Sequence, residues 1–279
     1  MPSWKVTLEY DGTRYHGWQE QQNARTVAGT VRKAASELLG GSVHLGGSGR
    51  TDSGVHALAQ VAHLKAGRRL QASLIRQGLN DLLPADINVL KAEDAESTFD
   101  ARRDAKARYY LYQISTRRTA FAKQYVWWVK SRLDLDRISR SLAALKGTHD
   151  FAPFCEQRPD QRSSTVEVKQ AEMAVDGDLI LLRFGARYFL WKMVRRVVGM
   201  LVEVGRGRVE VEEFQGLLSI AGGRGNQGRT RPVTDERLSV AAHTAPPSGL
   251  FLERVVYDER RDLPGTLQAA FHEWLGCRR

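Results

Sequence analysis

The sequence predicts an α+β protein made of two β-α-β-β-α-β units, and three observations carry that expectation. Segments of alternating apolar and polar residues recur between segments with apolar residues three and four apart. The same order of elements occurs twice, with longer joins the second time. The helices also end at residues that force a stop: Gly40-Gly41, Pro84 and Gly147.

In the first unit the spacing predicts a strand over 4–10, a helix over 26–39, strands over 42–45 and 57–64, a helix over 70–83 and a strand over 87–92. Val27, Val31, Ala34, Ala35 and Leu38 form the buried face of the first helix, with Thr26 as N-cap. Ile75, Leu79 and Leu82 mark the second helix. The second unit begins with a strand over 108–115 and an aromatic strand near 125–129. A helix over 134–146 follows, with the stripe Leu135, Ile138, Leu142 and Leu145. Strands over 166–175 and 179–184 meet at Asp176-Gly177, a strong hairpin signal, and a helix over 189–204 precedes a last strand over 250–257. The expected division is 1–104 and 105–279, with antiparallel sheets flanking a central basic cleft.

Charge narrows the partner. The chain has 42 Lys and Arg against 32 Asp and Glu, a net charge of +10, which favours an anionic macromolecule, with nucleic acid first. No apolar run approaches the roughly 20 residues of a membrane span. The first residues enter a strand pattern at once, without an export signal, so the expected location is the cytoplasm. Cys155 and Cys277 are too few and too isolated for a disulfide framework or a metal site, and the seven histidines never take metal-ligand spacing with cysteine. No metal and no cofactor are expected.

The passage from Gly49 to His63, GRTDSGVHALAQVAH, concentrates chemistry. Arg50, Thr51, Asp52 and Ser53 lie among glycines at 46, 47, 49 and 54, next to a strand stiff enough to hold them. From the residues alone, a catalytic turn and a glycine-rich hairpin with a solvated Arg both fit. In the helix over 189–204, Leu190, Val194, Val197, Leu201 and Val204 share one face, while Lys192, Arg195 and Arg196 gather towards the other. A guanidinium there suits a carboxylate partner, and Arg195 is the choice for Asp52. In KARYYLYQI, from Lys106 to Ile114, Tyr110 and Tyr112 share a strand face and Tyr109 takes the other. Strand tyrosines are usually packing residues, but beside a basic cleft such a ring can stack an unpaired base.

With these residues in view, the chain resembles the TruA family of tRNA pseudouridine synthases over nearly its whole length. The resemblance rests on YDGTRYHGWQEQ, GRTDSGVHA, LNDLLPADINV, the stretch from FDAR to KARYYLY, DFAPF, FLWKMVRRVVGMLVEVG and APPSGLFL, in that order. It implies two ferredoxin-like halves. It also implies Asp52 as nucleophile, Arg50 as the residue that flips the target nucleotide and holds its phosphate, and Tyr110 packing on the uracil. Arg195 would pair with the catalytic carboxylate, and Leu250 would wall the base pocket. The implied partner is tRNA, modified at positions 38, 39 and 40 of the anticodon arm by a homodimer without cofactor. Two departures, Thr26-Val27-Ala28 and Ser53 after Asp52, remove no functional group. A longer connection over 221–243 reads as a disordered tether or as an RNA contact through Arg224, Arg229 and Arg231.

Two rivals are weaker. A nucleoside-bond hydrolase would also use an Asp but usually needs a second carboxylate, and none stands out beside Asp52. A non-catalytic RNA-binding protein would suit the charge yet would have no use for Asp52, and no RNP1-type string occurs. The turn is not a P-loop, because GGSGRTDSG lacks the Gly-Lys-Ser/Thr ending.

Overall fold

The computed structural model describes residues 1–156, 163–220, 236–265 and 267. In chain order the elements begin with β1 (Ser3–Tyr10), α1 (Val27–Leu39), β2 (Val43–Gly47), β3 (His56–Ala66), α2 (Ala72–Leu82) and β4 (Ile87–Asp94). They continue with β5 (Ala107–Ser115), β6 (Trp127–Trp128), α3 (Leu135–Ala144), β7 (Gly147–Asp150), β8 (Thr165–Asp176) and β9 (Leu179–Ala186). The last are α4 (Met193–Gly205), α5 (Val211–Gly216), β10 (Ser219–Ile220) and β11 (Leu250–Val256). The protein is a mixed α+β fold of many strands and few helices. Among the described residues no helix is long and apolar enough to cross a membrane.

The described chain divides into two compact units, one of Met1–Tyr109 with Leu250–Gly265 and one spanning Tyr110–Gly249. In the first, β1 lies between β3 and β4 and pairs antiparallel with both; β2 pairs antiparallel with one end of β3, and β11 runs parallel to the other. Trp4, Val6 and Leu8 of β1 are buried, with Ile75 and Leu79 of α2 and the α1 residues Val27, Val31 and Ala35. The expected α1 face is therefore its packing face. Thr26 caps it as expected, its hydroxyl accepting from the Gly29 N–H at 3.3 Å, and Gly40 ends it in the left-handed region.

In the second unit β7, β8 and β9 are antiparallel neighbours, β10 extends the β7 edge, and β6 pairs parallel with β5. All nine residues of β5 are buried, so neither of its faces is wet. Helix α3 packs on α4, α5 and β8.

Helix α4 and the connection over 221–243 depart from the sequence expectation. Helix α4 starts at Met193, not Phe189, because Lys192 takes a left-handed φ of 62° that helical propagation cannot cross. Leu190 and Lys192 consequently lie outside the helix. Nor is α4 two-faced: Met193, Val194 and every residue from Val197 to Gly205 are buried, which confines its cationic side to Arg195 and Arg196 in the first turn. The connection over 221–243 is only partly described. Its Arg224, Arg229 and Arg231 lie outside the described residues, but its end is packed and not a tether, with Val240 buried and Arg237 paired with Glu213 at 3.5 Å.

Candidate active site

The turn over 48–55 joins β2 to β3, and its backbone is fixed from several directions. The Trp18 N–H donates to the Thr51 carbonyl at 3.1 Å, and the Gly54 N–H donates to the Tyr15 carbonyl at 3.2 Å. Ser53 Oγ reaches that same Tyr15 carbonyl at 3.3 Å, while the Val55 N–H closes the turn on the Asp52 carbonyl at 3.1 Å. Thr51 is buried, its hydroxyl 2.8 Å from the Tyr10 hydroxyl. Each such bond is worth about 1 kcal/mol net, and several acting on eight residues leave the turn few alternatives. The side chains at its crest are treated differently: Arg50 is exposed and Asp52 half-buried. The backbone is spent on the scaffold, and the carboxylate and guanidinium stand at the surface.

Two buried polar side chains hold the entrance of the turn. Gln60, wholly buried in β3, closes a ring on Gly49: its Nε2 donates to the Gly49 carbonyl at 2.8 Å and its Oε1 accepts from the Gly49 N–H at 3.3 Å. Arg108, also buried, donates to the Ser48 carbonyl from Nε at 3.2 Å and Nη2 at 2.8 Å, and its Nη2 also reaches the Arg102 carbonyl at 2.8 Å. A planar guanidinium suits this task because it presents several donors in a fixed fork. Tyr257 donates to the Ala101 carbonyl at 2.6 Å, and burial raises its pKa.

Tyr15, whose carbonyl carries two turn bonds, is itself anchored. Its hydroxyl donates to Asp86 Oδ1 at 2.5 Å and accepts from Arg25 Nη2 at 2.9 Å, with the Arg25 guanidinium 4.6 Å above its ring. Burial, then the hydrogen bond to and charge of Asp86, push its pKa up to about 12. His56 closes the far side of the turn. Its Nδ1 accepts from the Gly12 N–H at 3.1 Å and its ring stacks on Phe251 at 4.8 Å, as expected of a structural histidine. His63 is of the same kind: its Nδ1 accepts from the Ala101 N–H at 3.0 Å, and burial lowers its pKa.

Leu250 begins β11 one residue before Phe251, which is in register with His56, so the first unit carries Leu250 beside the end of the turn that bears Arg50 and Asp52. Leu250 is buried. The second unit carries Tyr110 and Arg195. Tyr110 is 8% exposed, its ring meeting Phe189 edge-on at 5.1 Å. Arg195 bonds Ala245 twice, its Nε donating to the Ala245 carbonyl at 2.8 Å and its own carbonyl accepting from the Ala245 N–H at 3.0 Å. Tyr112 donates to the Pro246 carbonyl at 2.8 Å. Its pKa is raised well above the usual value by burial, against the opposing charge of Arg195. Arg196 and Lys192 instead pair with Glu156.

Sequence reasoning found the crest of the turn but missed its supports, Tyr10, Tyr15, Gln60 and Arg108. The signal for two of them is plain in retrospect. Gln60 occupies the face that Ala62 and Leu64 bury, and Arg108 directly precedes the apolar and aromatic run from Tyr109 to Tyr112. A polar side chain at an inward position must find partners, and here both find the turn.

A carboxylate and a guanidinium presented by a backbone-locked turn, in a chain of net charge +10, equip an enzyme that handles a polyanion. Comparison with known proteins narrows the class. A family model described as tRNA pseudouridine synthase matches residues 7–103 and 142–258. Proteins named tRNA pseudouridine synthase A from Brucella ovis and Brucella abortus are 38% identical to this chain over 262 residues, covering 92% of it and 98% of each relative. The chain belongs to the tRNA pseudouridine synthase family. A solved archaeal box H/ACA sRNP Nop10-Cbf5 complex matches 71% of this chain and 43% of its own at 12% identity, but its TM-score of 0.35 carries no weight.

Proposed function

We propose that the protein isomerises uridine to pseudouridine at positions 38, 39 and 40 of the tRNA anticodon arm, with Asp52 as nucleophile. The observation that carries this reading is the turn itself. Its backbone is held by Tyr15, Trp18, Gln60 and Arg108, while Asp52 stands half-exposed at the crest. Family membership supplies the reaction, and the geometry supports the assignment of its carboxylate.

The chemistry asks little beyond position. The bond from N1 to the ribose breaks, the uracil turns, and a bond forms from C5 to the same sugar carbon; the C5 proton is lost and N1 ends protonated. Nothing is oxidised or reduced, so no redox cofactor or energy donor enters. A carboxylate is ionised at neutral pH and needs no base to activate it, whether it attacks the sugar carbon or adds to the uracil ring. The target must first leave the helical stack, which costs a few kcal/mol. In this reading Arg50 holds its phosphate, Tyr110 packs on the flipped uracil, Leu250 walls the pocket, and Arg195 pairs with the Asp52 carboxylate and keeps it oriented. The two units are then ferredoxin-like halves flanking a basic cleft, and the working form is a cytoplasmic homodimer without metal or cofactor.

Incubation with unmodified tRNA transcripts, with pseudouridine mapped by reverse-transcription stops, tests substrate, reaction and position together. Asp52→Asn is expected to abolish product while keeping the fold and much of the tRNA binding, since the amide is nearly isosteric but cannot attack. Activity within tenfold of wild type sinks the assignment, and release of free uracil by the wild type supports a hydrolase instead.

A further inference from the structure

Residues 116–132 of the second unit leave β5 at Ser115 and return beside it through β6, where Trp128 is in register with Ser115. This arm holds Arg117, Arg118, Lys123, Lys130 and Arg132 and no aspartate or glutamate. Two aromatic rings stand out of it: Phe121 is 98% exposed and Trp128 41%. The Arg118 guanidinium lies 5.7 Å from the centre of the Trp128 ring, and Arg117 is paired with Asp178 at 2.9 Å.

A single exposed phenylalanine needs no explanation. Two exposed rings among cations, with no acidic residue in the arm, select a partner. A second copy laid on the same surface would bring like charges together, and an apolar protein partner would strand Lys123, Lys130 and Arg132. Unpaired RNA fits both features, because its bases stack on rings and its phosphates neutralise the cations. We propose that the arm is an RNA-binding surface separate from the Asp52 turn: Phe121 and Trp128 stack unpaired bases, and Arg118, Lys123, Lys130 and Arg132 take the adjoining phosphates. The substrate itself is the occupant, so the inference rests on the tRNA reading above.

The test uses the full chain and an unmodified tRNA transcript. Phe121→Ala with Trp128→Ala is expected to raise Kd at least tenfold, while the ring-retaining pair Phe121→Tyr and Trp128→Tyr stays within threefold of wild type. Lys123→Gln with Lys130→Gln is expected to flatten the slope of log K against log salt by about 0.7 for each phosphate the variant no longer neutralises. Thermal melting of each variant separates weakened RNA binding from impaired folding. The proposal is overturned if the alanine pair binds as wild type does. It is also overturned if sedimentation shows that the pair changes oligomeric state, which would make the surface an interface between copies. Ring-dependent binding by a wild-type protein that forms no pseudouridine would sink the function and leave the arm; product formation with ring-independent binding would do the reverse.

Discussion

Gly17→Ala probes how closely the Asp52 turn is held. Gly17 has a φ of 82°, and a Cβ there would lie 2.4 Å from the Thr51 carbonyl oxygen, 3.1 Å from the Asp52 carbonyl carbon and 3.3 Å from the Ser53 nitrogen. The left-handed conformation alone costs a non-glycine residue about 1–2 kcal/mol. The collision adds more, because a carbonyl has no rotamer through which to retreat. Ordinary van der Waals separation requires about 1 Å that is not available, and a shift of that size breaks the 3.1 Å bond from Trp18 to Thr51, worth roughly another 1 kcal/mol. A loss of about 2–3 kcal/mol in denaturant unfolding is therefore expected. Asp52 moves with the turn, and a misplacement near 1 Å costs on the order of a hundredfold in rate. Gly40→Ala is the matched control: its φ is 68°, but nothing lies within 4 Å of its added Cβ, so it shares the strain without the collision. Single-turnover pseudouridine formation should fall about a hundredfold for Gly17→Ala and stay within twofold for Gly40→Ala. Equal rates for the two variants would refute the claim that this glycine sets the position of Asp52.

Gln60→Leu removes both bonds to Gly49 at nearly constant volume, so stability should drop by about 1–3 kcal/mol and kcat should fall with little change in KM; urea unfolding and steady-state kinetics check both. Arg195→Ala should lower the single-turnover rate of bound tRNA and leave the salt dependence of binding almost unchanged. Weaker binding, a lower salt slope and a wild-type rate would instead make α4 an RNA-docking helix. Tyr15 ionises at about 12 when folded but near 10 when unfolded. The folded state therefore holds the proton more tightly, and the stability present below pH 10 is lost as pH rises towards 12. Melting temperature followed across that range should fall more gently in Tyr15→Phe.

The first unit was legible because its helices and strands write their periods locally: Thr26 and Gly40 lie where the structure begins and ends α1, and Pro84 follows the end of α2. What local pattern carries poorly is backbone conformation forced by distant parts of the chain. Nothing in FLWKMVRR marks Lys192 as left-handed, and apolar spacing ran on through a segment that does not become helix. Partners distant in sequence are equally silent, for nothing within 250–256 says that β11 will run parallel to β3. At the site the asymmetry is of another kind. Arg50 and Asp52 were legible because a cation and a carboxylate among glycines are poorly explained as packing. Tyr10 and Tyr15 were not, because an aromatic residue in or beside a strand is already explained by its burial.

That asymmetry has a mechanical cause. A residue proposed to react is chosen for its polar group, so among glycines and apolar neighbours it looks out of place. A residue that positions it can satisfy every polar atom inside the protein. Tyr15 serves the turn through its carbonyl, while its hydroxyl is occupied by Asp86 and Arg25; Arg108 serves it through a guanidinium that bonds the carbonyls of Ser48 and Arg102. Because Arg108 and Gln60 are buried, deleting either strands the Ser48 or Gly49 backbone groups it serves, and the turn must shift to find a replacement. Control of the position of the Asp52 turn is thus spread over residues buried behind it, and variants at Gly17, Gln60 and Arg108 are expected to impair the chemical step before they impair tRNA binding.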